Sequence, residues 1–175
     1  MRKSFLRIVT AVLAALLLLP MTGCIKARHI ATGTKWDGSF CYTLYDDNTA
    51  AIIAYTGTDE ILRLPDEYEG RRIVGFGSKT FENCVGLKMV YLPETVTYLP
   101  ARLFVGCADL TAIYVPVSVK SMGKNVISDC PKFKTVLYAG TTSAWDAINI
   151  GAVPWTDNYT IVNAEVEYCV DPYTK

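Results

Sequence analysis

Phe81-Glu82-Asn83-Cys84-Val85-Gly86-Leu87-Lys88-Met89-Val90-Tyr91-Leu92-Pro93-Glu94-Thr95-Val96 decides the fold, because its pattern returns from Phe104 to Val119. Cys84, Cys107 and Cys130 are separated by 23 and 23 residues, and the surrounding positions move with the same step. Phe81, Phe104 and Ile127 precede each cysteine by three residues, and Leu87, Leu110 and Phe133 follow it by three. Val90, Ile113 and Val136 come next, then Leu92, Val115 and Tyr138. Pro93 matches Pro116, Val96 matches Val119, and Leu99 matches Met122. Self-similarity at about 20 to 29 residues is the mark of a leucine-rich repeat. Val90-x-Leu92 has the period of a strand with one buried face. Spacings of three elsewhere suit tight turns or short 3₁₀ pieces. A single unit cannot bury its own apolar face, whereas stacked units share one core and contribute one parallel strand each.

A degenerate unit comes before these. Ile61-Leu62-Arg63-Leu64-Pro65 aligns with Met89 to Pro93, and Ile73 and Phe76 align with Val96 and Leu99 after five extra residues. The pattern predicts a mostly β chain, a short solenoid of about four coils.

The run from Phe81 to Val96, repeated from Phe104 to Val119, resembles the BspA-like leucine-rich repeat of bacterial surface proteins. The resemblance spans about residues 38 to 150. It implies a right-handed solenoid with a parallel sheet on one face, and surface adhesion or recognition as the use of that sheet. The chain departs from longer members of the family in having few units.

Both ends read as caps, which a solenoid needs to hide its open core. From Gly38 to Gly57 the sequence predicts an antiparallel hairpin. Phe40, Tyr42 and Leu44 alternate on one strand, Ala51, Ile53 and Tyr55 on the other, and Asp46-Asp47-Asn48 forms the turn. After Tyr138 the repeat decays. Thr141 to Ile148 offers a hydroxyl N-cap to a short helix, and Trp145 is expected in the place of Leu99 and Met122. Residues 161–168 read as a last edge strand.

The first residues set the expected compartment. Arg2, Lys3 and Arg7 precede an apolar run from Ile8 to Leu19, then Pro20 and Met21-Thr22-Gly23-Cys24. These are the parts of a secretory signal. The run is shorter than the roughly 20 residues of a spanning helix. Gly23-Cys24 resembles the bacterial lipobox, with Met21 standing where leucine is usual. The resemblance implies a diacylated Cys24 as the new N-terminus and an anchor in a bacterial membrane. The organisation expected is therefore a lipoprotein signal peptide over 1–23, a lipid-anchored tether over 24–37, a hairpin cap over 38–57, the solenoid over 58–138 and a terminal cap over 139–175. Removing 23 residues leaves 152 of 175, and 14 of the 17 basic residues against 17 acidic, a formal charge of −3. That balance lacks the basic face of a nucleic-acid binder.

Catalytic chemistry has little to work with. The single histidine, His29, falls in the expected tether, so neither a hydrolytic triad nor a His-based zinc site is expected in the folded domain. The sequence contains no C-x-x-C pair. Asp46-Asp47 and Asp59-Glu60 read as solvated turns. Gly75 to Thr80 lacks the Gly-Lys-Ser/Thr order of a phosphate loop. No enzyme, no metal and no cofactor is expected. The repeat cysteines read as buried free thiols acting as small hydrophobes, with a disulfide between neighbouring coils the alternative. Asn158-Tyr159-Thr160 matches a glycosylation sequon, incidental in a bacterial lipoprotein.

The binding candidate is the outer face of the strands. With Val90 and Leu92 inward, Met89 and Tyr91 point outward, and the register sets Arg63, Tyr91, Tyr114 and Leu137 in one column. Arginine and aromatics dominate interface hot spots. The function expected is a lipid-anchored recognition or adhesion module whose partner is a host protein, a bacterial surface component or a glycan. A structural envelope protein with no diffusible ligand is the alternative, its tyrosines serving only cross-strand pairing.

Overall fold

A computed structural model describes residues 29–151 and 158–173. The expected signal, its cleavage site and Cys24 lie outside the described residues. The repeat closes into stacked coils, and three of them contribute a strand to each of three parallel sheets. The largest holds β4 (Ile61–Arg63), β8 (Met89–Tyr91), β11 (Ala112–Val115), β14 (Thr135–Tyr138) and β16 (Glu165–Glu167), in the spatial order β16-β14-β11-β8-β4. A second joins β7 (Phe81–Glu82), β10 (Phe104–Val105) and β13 (Ile127–Ser128). The third joins β9 (Tyr98–Leu99), β12 (Ser121–Met122) and β15 (Asn149–Ile150).

The pairing register is the repeat period itself. Val90 lies opposite Ile113 and Ile113 opposite Val136, while Phe81 lies opposite Phe104 and Phe104 opposite Ile127. Like therefore stacks on like. The Phe81 and Phe104 rings are 5.0 Å apart and within 14° of parallel. Leu87, Leu99, Leu110, Val96 and Val119 are fully inside, as are Val90, Ile113 and Val136. The turns repeat as well. Asn83, Gly106 and Asp129 all adopt positive φ, and so do Lys79, Arg102 and Asn125. Asn, Asp and Gly tolerate that region, and Gly106 has a second reason to be glycine. A Cβ there would collide with Oδ1 of Asn83, one coil away.

The N-terminal cap is larger than its sequence signal. β2 (Phe40–Tyr45) and β3 (Thr49–Tyr55) form the expected antiparallel hairpin, with a bulge between Cys41 and Tyr42. Here β6 (Arg71–Phe76) runs parallel to β3, so Ile73 pairs with Ala50 and Phe76 with Ile52 rather than entering the sheets of the later coils. β5 (Glu67–Tyr68) flanks β6, and Tyr68 stacks on Tyr42 at 3.9 Å. On the hairpin's other side lies β1 (Ala31–Asp37), antiparallel to β2. This span was expected to be a patternless tether. It is a strand in which every residue is exposed. It buries no face, so it carries no hydrophobic period, and main-chain pairing holds it.

The far end departs from expectation in two places. Thr141 caps the helix α1 (Thr142–Asp146), its hydroxyl accepting from the Ala144 amide. That helix adds residues to the coil, so Ile150 rather than Trp145 pairs with Met122. Trp145 is buried instead edge-on against Tyr138, with centroids 5.2 Å apart. The expected edge strand over 161–168 is a helical turn, α2 (Tyr159–Val162), followed by β16. Only its last part joins the sheet, with Val166 opposite Val136.

Asn158 closes this end. Each coil donates main-chain N–H groups to carbonyls of the next, as Arg102 N does to Lys124 O and Phe104 N to Val126 O. The last coil needs a substitute partner, and the Asn158 side chain supplies one. Its Oδ1 accepts from Val126 N at 2.8 Å and its Nδ2 donates to Gly123 O at 2.8 Å. The amide of Asn158 thus copies a peptide group of a missing coil. It is only 1% exposed, so the sequon asparagine is not open to a glycosyl donor in the folded chain. Asn158→Ala strands two buried main-chain groups at about 1–3 kcal/mol each. Urea unfolding should show a loss of about 2–4 kcal/mol, and a change below about 0.5 kcal/mol would refute the capping role.

Candidate outer-face binding site

Alternation along the short strands of the largest sheet sends one set of side chains into the core and the other outward. The outward residues form two rows. Ile61, Met89, Ala112, Thr135 and Glu165 are in register in one; Arg63, Tyr91, Tyr114, Leu137 and Glu167 are in register in the other. The five residues expected to form the binding face, Arg63, Met89, Tyr91, Tyr114 and Leu137, therefore stand on one surface.

The second row is a connected polar and aromatic strip. Arg63 lies over the ring of Tyr91, its Cζ 3.7 Å from the centroid, in cation–π geometry. Tyr91 and Tyr114 are tilted neighbours at 5.7 Å. The Tyr114 hydroxyl donates to Glu94 Oε1 at 2.8 Å. Burial, then this bond to a carboxylate, pushes the Tyr114 hydroxyl well above the usual phenol range. The expectation of exposure holds for Arg63 and in part for Met89 and Tyr91. It fails for Tyr114 and Leu137, which are 2% and 8% exposed. Their side chains leave the sheet outward as alternation requires, but residues 168–173 come back over them. Val170 N donates to Tyr138 O at 3.1 Å, and Pro172 O accepts from Arg63 Nη2 at 3.0 Å. A contact across 109 residues leaves no periodic trace in the sequence.

The histidine also lies where its sequence position did not suggest. His29 docks on the hairpin turn, with Nδ1 2.7 Å from Asp47 Oδ2 and its ring 5.2 Å from Tyr45. Thr49 Oγ1 donates to the other oxygen of Asp47 at 2.6 Å. The three residue types resemble a hydrolytic set, but the order is wrong. In a relay the hydroxyl faces the imidazole nitrogen remote from the carboxylate. Here it gives its proton to the carboxylate itself, and the cluster fastens residue 29 to the turn. Thr49 and then His29 hold the Asp47 carboxyl below its usual range.

The repeat thiols line up inside the solenoid. Cys107 Sγ lies 3.1 Å from Phe81 O in the neighbouring coil, and Cys130 Sγ lies 3.2 Å from Ser128 O. Cys41, Cys84, Cys107, Cys130 and Cys169 are all free thiols. Contact with the Cys107 thiol and burial together push Cys84 and Cys130 up, away from the reactive thiolate. Among the described residues no group of His, Cys, Asp and Glu could hold a metal ion.

Residues 70–146 match the family described as BspA type leucine rich repeat region, in six copies. A leucine-rich-repeat protein of T. pallidum superposes with a TM-score of 0.54 at 24% identity, over 61% of this chain and 53% of that one. A leucine-rich cell-surface protein of Faecalibacterium prausnitzii aligns at 19% identity and a TM-score of 0.43, over 76% of this chain and 47% of that one. The chain thus spans about half the length of these solved structures. No curated protein matches it significantly. The chain thus has a leucine-rich-repeat fold.

Cys169, exposed within the covering segment, is set apart from the buried thiols. Maleimide treatment of the native chain followed by peptide mapping should label Cys169. Cys41, Cys84, Cys107 and Cys130 should react only in denaturant. Labelling of Cys107 as fast as Cys169 would contradict the buried ladder.

Proposed function

We propose that this leucine-rich-repeat protein is a lipid-anchored, extracytoplasmic recognition module, using the outer face of its largest sheet to hold a protein or glycan. The observation that carries the reading is the Arg63–Tyr91–Tyr114 strip. It places a guanidinium on an aromatic ring on the outer face of the sheet, the composition from which interface anchors are made. The compartment rests on the positively charged start, the short apolar run and Gly23-Cys24, which together imply acylation of Cys24. Two or three acyl chains would give stable membrane attachment where one would not. The match to the BspA type repeat and the likeness to a cell-surface protein agree with an extracytoplasmic site. The repeat scaffold and a His29 cluster built as a fastener support a non-catalytic role.

One observation favours the structural alternative, an envelope spacer without a diffusible ligand. The centre of the strip is already covered, at Tyr114 and Leu137.

Binding of residues 25–175 to arrays of matrix proteins, glycans and intact cells separates the two readings. Arg63→Ala and Tyr91→Ala serve as variants, since both side chains reach solvent and neither fills the core. Recognition through the strip predicts a ligand whose affinity falls by about 10- to 100-fold in each variant, the effect of a 1.4–2.7 kcal/mol hot spot. A full set of negative results with folded protein, or binding that both variants retain, would sink the strip as the recognition surface.

A further inference from the structure

The two outward rows of the largest sheet differ in a way the sheet itself does not explain. They stand on the same strands in the same register. Yet the first row stays partly open at its centre, where Met89, Ala112 and Thr135 are half-buried, while the second is closed there, with Tyr114 2% exposed. What distinguishes them is the segment that follows β16. At Val170 it is still bound to the end of β14, and at Pro172 it is bound to Arg63 of β4. These strands are three steps apart in the order β14-β11-β8-β4, or about 14 Å at the spacing of neighbouring strands. Two residues of extended chain cover about 7 Å of that distance, and the long Arg63 side chain covers the remainder. The segment therefore lies over β11 and β8, above Tyr114 and Tyr91. Asp171 and Tyr173 sit near enough to Tyr114 to add to the effect of burial and Glu94 on its hydroxyl.

The way the segment is held shows what the row can hold. It is held to the row by a bond from the Arg63 guanidinium to a main-chain carbonyl, a group every peptide offers. Pro172 is half-buried over the row, while the Tyr173 side chain stays 79% exposed. Proline adds a fixed φ and has no N–H to satisfy, and the chain turns at Pro172 and Tyr173, where Tyr173 N donates to Asp171 Oδ1 at 2.8 Å.

We propose that the Arg63–Tyr91–Tyr114–Leu137 row is a groove for a peptide segment, and that residues 170–173, Val-Asp-Pro-Tyr, are its resident occupant. This rests on the outer face being the recognition surface. It adds the class of partner, a polypeptide segment that offers a main-chain carbonyl to Arg63, and the condition for binding, which is displacement of the chain's own segment. An occupant holding the groove nine-tenths of the time lowers apparent affinity for an outside peptide about tenfold.

The test uses the full chain, wild type and Pro172→Gly/Tyr173→Gly, with a fluorescent synthetic peptide of residues 167–173 carrying Cys169→Ser as probe. Tyrosine nitration mapped by mass spectrometry reads the groove, and fluorescence anisotropy reads the peptide. In the wild type Tyr114 should resist nitration and the peptide should bind weakly. The double variant should expose Tyr114 and bind the peptide about tenfold tighter or more. Arg63→Ala, which cuts the same strap from the sheet side, should also expose Tyr114 while binding the peptide poorly. It keeps the test usable if the double variant does not fold. Protection of Tyr114 in every folded variant would overturn the strap. Exposure of Tyr114 without a gain in peptide binding would overturn the peptide groove. Peptide binding by the opened chain, alongside no ligand on any array, would instead refute the recognition reading and leave the groove standing.

Discussion

Main-chain hydrogen bonding between neighbouring coils in register is the constraint from which the rest follows. Each coil donates to the next at fixed offsets, as Phe81 N does to Leu103 O and Phe104 N to Val126 O. Those offsets put every side chain directly above its equivalent, so a residue must fit the residue in the same place one coil earlier. Phenylalanine stacks on phenylalanine, thiol on thiol, and aliphatic on aliphatic. The outer face obeys the same rule. Tyr91 and Tyr114 meet because the ladder sets them there. Arg63 reaches Tyr91 because a degenerate first unit still keeps the register. Polar side chains reinforce the stack from outside. Asp109 accepts from Gly86 N in the coil below and pairs with Lys132 in the coil above, and its carboxyl is held low first by Lys132.

A ladder of this kind has two ends, and each exposes main-chain groups and an apolar cross-section. The first end spends a whole sheet on the problem, with Tyr42, Ile52, Tyr55 and Ile73 in the core beneath Phe81. There burial, and then the bond to Asp59, push the Tyr55 hydroxyl to about 12. The second end uses less. Trp145 and Ile161 cover the apolar section, and a single asparagine side chain satisfies the main chain. A terminal coil leaves both N–H and C=O groups at its open edge, and one amide carries both a donor and an acceptor.

The solenoid, its period and the sidedness of its strands were legible in the sequence for the reason just given. Equivalent positions must match, and matching residues at a fixed step can be seen without coordinates. The hairpin was legible through its alternation and its Asp-Asp-Asn turn. What could not be read had no period. β1 buries neither face. Trp145 yields its expected place to Ile150 because a short helix changed the count by an amount no repeat announces. His29 is fixed by a turn it precedes by many residues. The candidate site was half legible. Register alone gave its column of residues. Its covering did not, because that depends on one long-range contact between Arg63 and a main-chain carbonyl, and any residue there would supply the same acceptor.

The recurrence of positive φ at Asn83, Gly106 and Asp129, and again at Lys79, Arg102 and Asn125, bears on how such a chain can change length. The backbone path of a coil is closed only after its whole set of turns. A gain or loss of one full unit leaves every remaining turn, strand and stacked pair in phase, and the two ends see the same neighbours as before. A gain of one or two residues inside a unit puts left-handed positions on residues that cannot adopt them, and sets apolar side chains outward. Length in this fold therefore varies in whole units. A family built on it can extend or shorten its outer face by duplication while keeping the same two ends.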